Sequence, residues 1–175
     1  MNQNAIRSGL IIGVIGIIIS LLLYIINVAL FANWWLMITL GVVNLVLITV
    51  FGIKYRNENE GFITFKESYI YSVISMIVFV LIGTIFSYVL FNIVNPDLPE
   101  IIADIAIKNA EAMMEKFGTS EEIMDEAIEK SRQDTLDGFT PVGLFKGGGI
   151  RILVNLAVCL IIAAIVKKNK PEEVA

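Results

Sequence analysis

No histidine occurs anywhere in this 175-residue chain, and cysteine occurs once, at Cys159. Without histidine no Ser-His-acid triad can be assembled, however many serines are present, and the lone thiol has no imidazole base to activate it. One cysteine and no histidine also exclude a zinc site of the common Cys/His kind and any intramolecular disulfide. A basic excess is missing as well. Thirteen Lys and Arg stand against 17 Asp and Glu, a net charge of -4, whereas a nucleic-acid binder would present a basic face. "KGGGI" at 146–150 lacks the spacing and the following Lys-Ser/Thr of a phosphate loop. No catalytic constellation, metal site or cofactor site is expected, and the chain is not expected to be an enzyme.

Charge is absent most systematically from four long apolar runs, in a chain that is 57% hydrophobic with a mean hydropathy of +0.79. A soluble core would spread its apolar residues at amphipathic spacing, so lipid is the better solvent for these runs. The first, 9–32, has 24 uncharged residues, too long for the apolar part of a signal peptide, and is expected to remain as a span. The second, 34–53, opens on Trp34 and Trp35, amphipathic rings suited to headgroup depth, with "FANWW" as a tight turn. A third span is expected over about 66–95, started by a capping box of Thr64 and Glu67 and ended by "NPD". The fourth, about 146–166, contains Arg151 near one interface, where it can snorkel, and ends at Lys167 and Lys168. The expected fold is therefore all-α, a polytopic membrane protein of four transmembrane helices, with spans 1–3 in residues 1–96 and span 4 with a basic tail in 142–175.

Four spans put both termini and the 54–66 loop on one side. That side carries Arg7, Lys54, Arg56, Lys66, Lys167, Lys168 and Lys170 in short segments close to the spans. The positive-inside bias then predicts cytoplasmic termini in a bacterial inner membrane.

Between spans 3 and 4 lies an acidic segment, 97–141. It is expected to be an extracytoplasmic helical hairpin. Asp97 and Glu100 have capping-box spacing at its first helix, and Gly118 stops that helix. Thr119 with Glu122 caps the second, whose narrow apolar face includes Ile123 and Ile128. "DTLDGFTP" at 134–141 is the expected return to the membrane, and "KGGGI" a flexible lead into span 4. Two helices of this length bury too little to be stable alone, so their apolar stripes need a third surface. Span ends, lipid headgroups and the same segment of another subunit all qualify.

Inside the spans the polar groups are Asn27, Asn44 and Asn155 with several hydroxyls, expected to bond between helices. Gly9, Gly13 and Gly16 fall at close-packing spacing and form an expected contact face. No charged residue lies mid-span to mark an ion or proton path.

Taken together, "RSGLIIG" (7–13), "GFITFKESY" (61–69), "NIVNPD" (92–97), "FGTSEEIMDEAIEK" (117–130) and "AAIVKK" (163–168) resemble the DUF4199 family of four-span bacterial membrane proteins, found mainly in Bacteroidota. At the start of span 3, Thr64, Phe65 and Glu67 match that pattern while Lys66 and Ser68 depart from it. The resemblance implies a fold and a membrane location but no activity. Two functions are carried forward. One is a non-enzymatic structural or interaction protein, with the hairpin meeting a membrane-protein partner or a second copy. The other is a small oligomeric transport or channel component lined by the three asparagines. The lipid bilayer is an expected partner; nucleic acid is not.

Overall fold

The structure, a computed structural model, describes residues 2–116 and 121–170. Within them every named element is helical: α1 Asn2–Ile26, a 3-10 helix Val28–Ala32, α2 Trp34–Glu58, α3 Phe65–Val89 closed by a π-helical turn Leu90–Val94, α4 Leu98–Lys116, α5 Glu121–Phe139 and α6 Pro141–Val166. Four stretches are long and apolar enough to cross a membrane: Gln3–Ile26, Trp34–Glu58, Phe65–Val94 and Pro141–Val166. The chain is a multi-pass membrane protein, with α4 and α5 forming a hairpin between the third and fourth spans.

Local chemistry explains where the helices start and stop, and it revises three sequence expectations. The first helix ends at Ile26 and not at Ala32, because Asn27 is extended (φ -168°, ψ 115°) and its side chain accepts from the Ala29 amide at 2.9 Å. That cap begins a separate 3-10 helix, so the link into α2 is a short helix and not a tight turn. Residues 134–139 belong to α5, which leaves Thr140 alone as the return. Pro141 then occupies the first position of α6, where its missing N–H costs nothing, and the Thr140 hydroxyl accepts from Gly143 N at 3.0 Å. The glycines at 147–149 are helical, with Gly148 buried. A backbone at membrane depth has to satisfy its own hydrogen bonds, and that requirement overrides the flexibility of glycine.

At α3 the expected capping box is formed. Glu67 N donates to Thr64 Oγ1 at 3.3 Å and Thr64 N donates to Glu67 Oε2 at 3.0 Å. The Asp97–Glu100 pair does not repeat it. There a turn bond, Leu98 N to Asn95 O at 3.2 Å, sets the chain direction, and Asp97 contributes its backbone carbonyl to Ile101 N. Pro96 dictates that geometry, so the side-chain cap is not needed.

The chain divides into two packed units, one drawn from Met1–Ile17, Thr39–Gly83 and Gly148–Ala175, the other from Ile18–Ile38 and Thr84–Gly147. In the first, α1 lies on α3 through small residues. A methyl group on Gly9 would fall 2.5 Å from the Ser75 carbonyl oxygen, and one on Gly13 2.8 Å from the end of Ile82. Ser75 Oγ donates to Ala5 O at 3.0 Å, Ser8 and Tyr71 share a 2.6 Å hydrogen bond, and Tyr71 stacks on Tyr55 at 4.8 Å. Gly52 lets Val166 of α6 approach, and the carbonyl of Val166 accepts from Arg56 Nη1 at 3.1 Å. An antiparallel bridge, Ile63 with Lys168, ties the chain after α6 to the loop before α3.

Candidate functional site

In the second unit the amphipathic hairpin finds its third surface on its own chain. Leu98 and Ile102 of α4 are buried with Leu90 and Phe91 of the π turn, against Tyr24, Phe31 and Phe139. Phe91 is the centre of this seat: it meets Phe31 edge-on at 5.9 Å and Phe139 at 4.6 Å. Alpha4 therefore packs on the 3-10 helix Val28–Ala32 as well as on α5. Two side-chain bonds fasten the seat, Asn92 Nδ2 to Phe139 O at 3.1 Å and Asn95 Nδ2 to Tyr24 Oη at 3.2 Å. The π turn follows from the same packing, since Asn95 N reaches back to Leu90 O and turns Leu90 and Phe91 inward.

The remaining hairpin surface is polar. Asp125, Glu126 and Glu129 are exposed on α5, while Met124, Ala127 and Ile128 are half-buried. Arg132 and Asp104 form an exposed ion pair between the two helices, worth at most about 1 kcal/mol. Among the described residues no group of three or more His, Cys, Asp or Glu side chains could hold a metal ion. Gly118 and Thr119, expected as stop and cap, lie outside the described residues, as do the side chains of Glu122 and Ile123.

The three asparagines do not bond between helices as expected. Asn27 caps the 3-10 helix, Asn44 donates to Leu40 O at 2.8 Å, and Asn155 donates to Arg151 O at 2.8 Å. An amide can satisfy itself on the carbonyl one turn back, and no neighbour is then required. The glycine face is turned inward, with Gly9, Gly13 and Gly16 all against α3. Trp34 and Trp35 stack at 4.2 Å at the start of α2, 60% and 65% exposed. The fourth span starts at Pro141 and not near 146, so Arg151, expected close to its end, lies ten residues into the helix; it is exposed and, among the described residues, in no ion pair, which leaves it free to snorkel. Lys167 and Lys168 lie over the rings of Phe65 and Phe62, at 5.8 and 5.4 Å.

Two features were not read from the sequence. One is the aromatic seat, whose residues are scattered over 24–139. The other is a small cavity of about 80 Å³ in the first unit, where α1, α2 and α3 meet. Ser8, Tyr55 and Tyr71 are buried in its floor, and Arg7, Lys54 and Glu58 are exposed at its rim. Outside the spans, the salt bridge of Lys170 to Glu60 at 2.8 Å holds the Glu60 carboxyl below its ordinary pKa and raises Lys170.

A family model described as a protein of unknown function (DUF4199) matches residues 7–168. No curated protein and no solved structure matches the chain.

Proposed function

The chain belongs to the DUF4199 family, and from this membership and the geometry of the hairpin we propose a non-enzymatic structural or interaction role in the bacterial inner membrane, with the acidic hairpin as contact element. One observation carries the proposal. The hairpin's buried residues Leu98, Ile102 and Phe139 are already packed on Tyr24, Phe31, Leu90 and Phe91 of its own chain, so its acidic surface stands ready for something else. Burial of Leu98 and Ile102 anchors the hairpin that carries it, and a surface anchored in advance loses less entropy on binding. Its charge, twelve acidic against four basic residues over 97–141, favours a basic protein surface over anionic lipid. The absence of histidine, with no carboxylate in the middle of a span, favours a non-catalytic role.

Cytoplasmic termini and an extracytoplasmic hairpin complete the reading. Supporting them are the basic residues close to the spans, Arg7, Lys54, Arg56, Lys66, Lys167 and Lys168. In a Cys159→Ser background, a membrane-impermeant thiol reagent on intact spheroplasts should label a cysteine at Lys108 and spare one at Glu60. The reverse pattern would overturn the orientation. For the contact role, a photocrosslinker at exposed Lys108 or Met113 should give discrete protein adducts in cells, absent from buried Ile102. Adducts to lipid alone from both exposed positions would defeat the interaction reading.

A further inference from the structure

The cavity between α1, α2 and α3 combines features that the proposed role leaves unused. Arg7 of α1 and Lys54 of α2 line the same small space, so like charges from two helices border it. Glu58, one turn beyond Lys54 on α2, lines it as well. Among the described residues none of the three is in an ion pair. The floor is polar and fixed: Tyr71 is 1% exposed, held by its 2.6 Å bond to Ser8 and by stacking on Tyr55. The volume, about 80 Å³, is that of about three water molecules, a scale suited to a small polar group and not to a whole metabolite.

Position along the helices fixes the depth. Between Ser8 and Ile53 the sequence holds no charged residue, so Arg7 and Lys54 are the first charges met on leaving the apolar stretches of α1 and α2. The cavity therefore sits at headgroup level. Ile11 belongs to its lining, and Leu10 and Val14 of α1 continue beside it as exposed apolar surface, 48% and 52% accessible. Acyl chains can lie there; a free phosphate would have no use for that surface. Two cations and one carboxylate around one small space match a headgroup that carries both a phosphate and an ammonium.

We propose that this cavity binds the headgroup of a zwitterionic aminophospholipid, the phosphate between Arg7 and Lys54 and the ammonium against Glu58. The bound lipid joins α1 to α2 at the membrane surface. A single lipid is held, because the space is small.

The test is native mass spectrometry of the full-length protein released from detergent, titrated with palmitoyl-oleoyl phosphatidylethanolamine or with palmitoyl-oleoyl phosphatidylglycerol. One phosphatidylethanolamine should be retained in preference to phosphatidylglycerol. Arg7→Gln with Lys54→Gln should weaken that retention roughly thirtyfold, and Glu58→Gln should abolish the preference between the two lipids. Lys108→Gln with Lys130→Gln, which removes two cations from the hairpin, should change neither. Helicity and thermal midpoint of each variant establish that it is folded. The wild-type protein gives a second reading: soluble glycerophosphoethanolamine should displace the lipid, and inorganic phosphate should not. Unchanged retention in the folded Arg7/Lys54 variant would overturn the site. Phosphatidylglycerol bound as well as phosphatidylethanolamine, or displacement by inorganic phosphate as effective as by glycerophosphoethanolamine, would overturn the aminophospholipid assignment.

Discussion

The two units of this protein are held together by different chemistries. In the unit that contains Thr39–Gly83, an apolar core of Ile12, Ile48, Met76, Ile162 and Val166 is drawn together by close contacts of glycine, serine and tyrosine: Gly9 on the Ser75 carbonyl, Gly52 on Val166, Ser8 on Tyr71. In the unit that contains Thr84–Gly147, helices meet through Phe31, Phe91, Phe139, Leu98 and Ile102. Solvent accounts for the contrast. Between lipid-embedded helices burial of apolar side chains brings no hydrophobic gain, so association depends on close backbone approach and hydrogen bonds. The hairpin is amphipathic, and taking one of its large apolar side chains out of water stabilises by about 1.5–3 kcal/mol.

Truncation of Leu98 should break the comparison hardest. Leu98 is fully buried, and Leu98→Ala should cost about 3 kcal/mol, seen as lost protease resistance of the hairpin in nanodiscs while α1–α3 stay protected. Collapse of every helix together would erase the distinction between the units. Gly9→Ala should cost about 2 kcal/mol, since its new methyl meets backbone and not the end of a flexible side chain. Gly41→Ala has nothing within 4 Å and should be neutral or stabilise by up to about 1 kcal/mol through helix propensity. Reversible unfolding in mixed micelles would measure both, and equal effects would deny that close approach holds α1 on α3.

Smaller effects sharpen the picture. Thr64→Ala removes half of the capping box and should cost about 1 kcal/mol, read as faster amide exchange in the first turn of α3. Tyr71→Phe removes the hydrogen bond to Ser8 but keeps the stack on Tyr55, and should cost about 0.6 kcal/mol. A value several times larger would make the hydroxyl network, and not the glycines, the main fastening. At the exposed Lys170–Glu60 bridge the carboxyl pKa is lowered on folding. Whatever stability it contributes is present above the ordinary carboxylate pKa and fades as pH falls through the lowered folded value. A pH titration of Lys170→Gln against wild type should show that acid-side difference and a matching one on the alkaline side, where the raised Lys170 finally loses its proton.

Much of the fold was legible because long uncharged runs admit few alternatives in lipid. The Thr64–Glu67 cap was legible for the same local reason, as both partners lie within one turn. What escaped depended on partners distant in sequence. Nothing around Phe91 alone announces that Phe31 and Phe139 will close on it, and Arg7 and Lys54 look like ordinary end-of-span cations until the fold brings them to one cavity. Asn27 misled for a different reason: its residue type suited either an interhelical bond or a cap, and the extended backbone that decides for the cap is not encoded in composition.

The claim that the hairpin depends on its own chain for its third surface is tested most directly by hydrogen exchange of the α4 amides in nanodiscs, comparing wild type with Phe91→Ala. Loss of the ring that contacts both Phe31 and Phe139 should accelerate exchange throughout Leu98–Lys116, while the amides of α1 and α3 around Gly9 and Ser75 exchange as before. Unchanged protection of α4 in that variant would contradict the account, because the hairpin would then be stable without its aromatic seat.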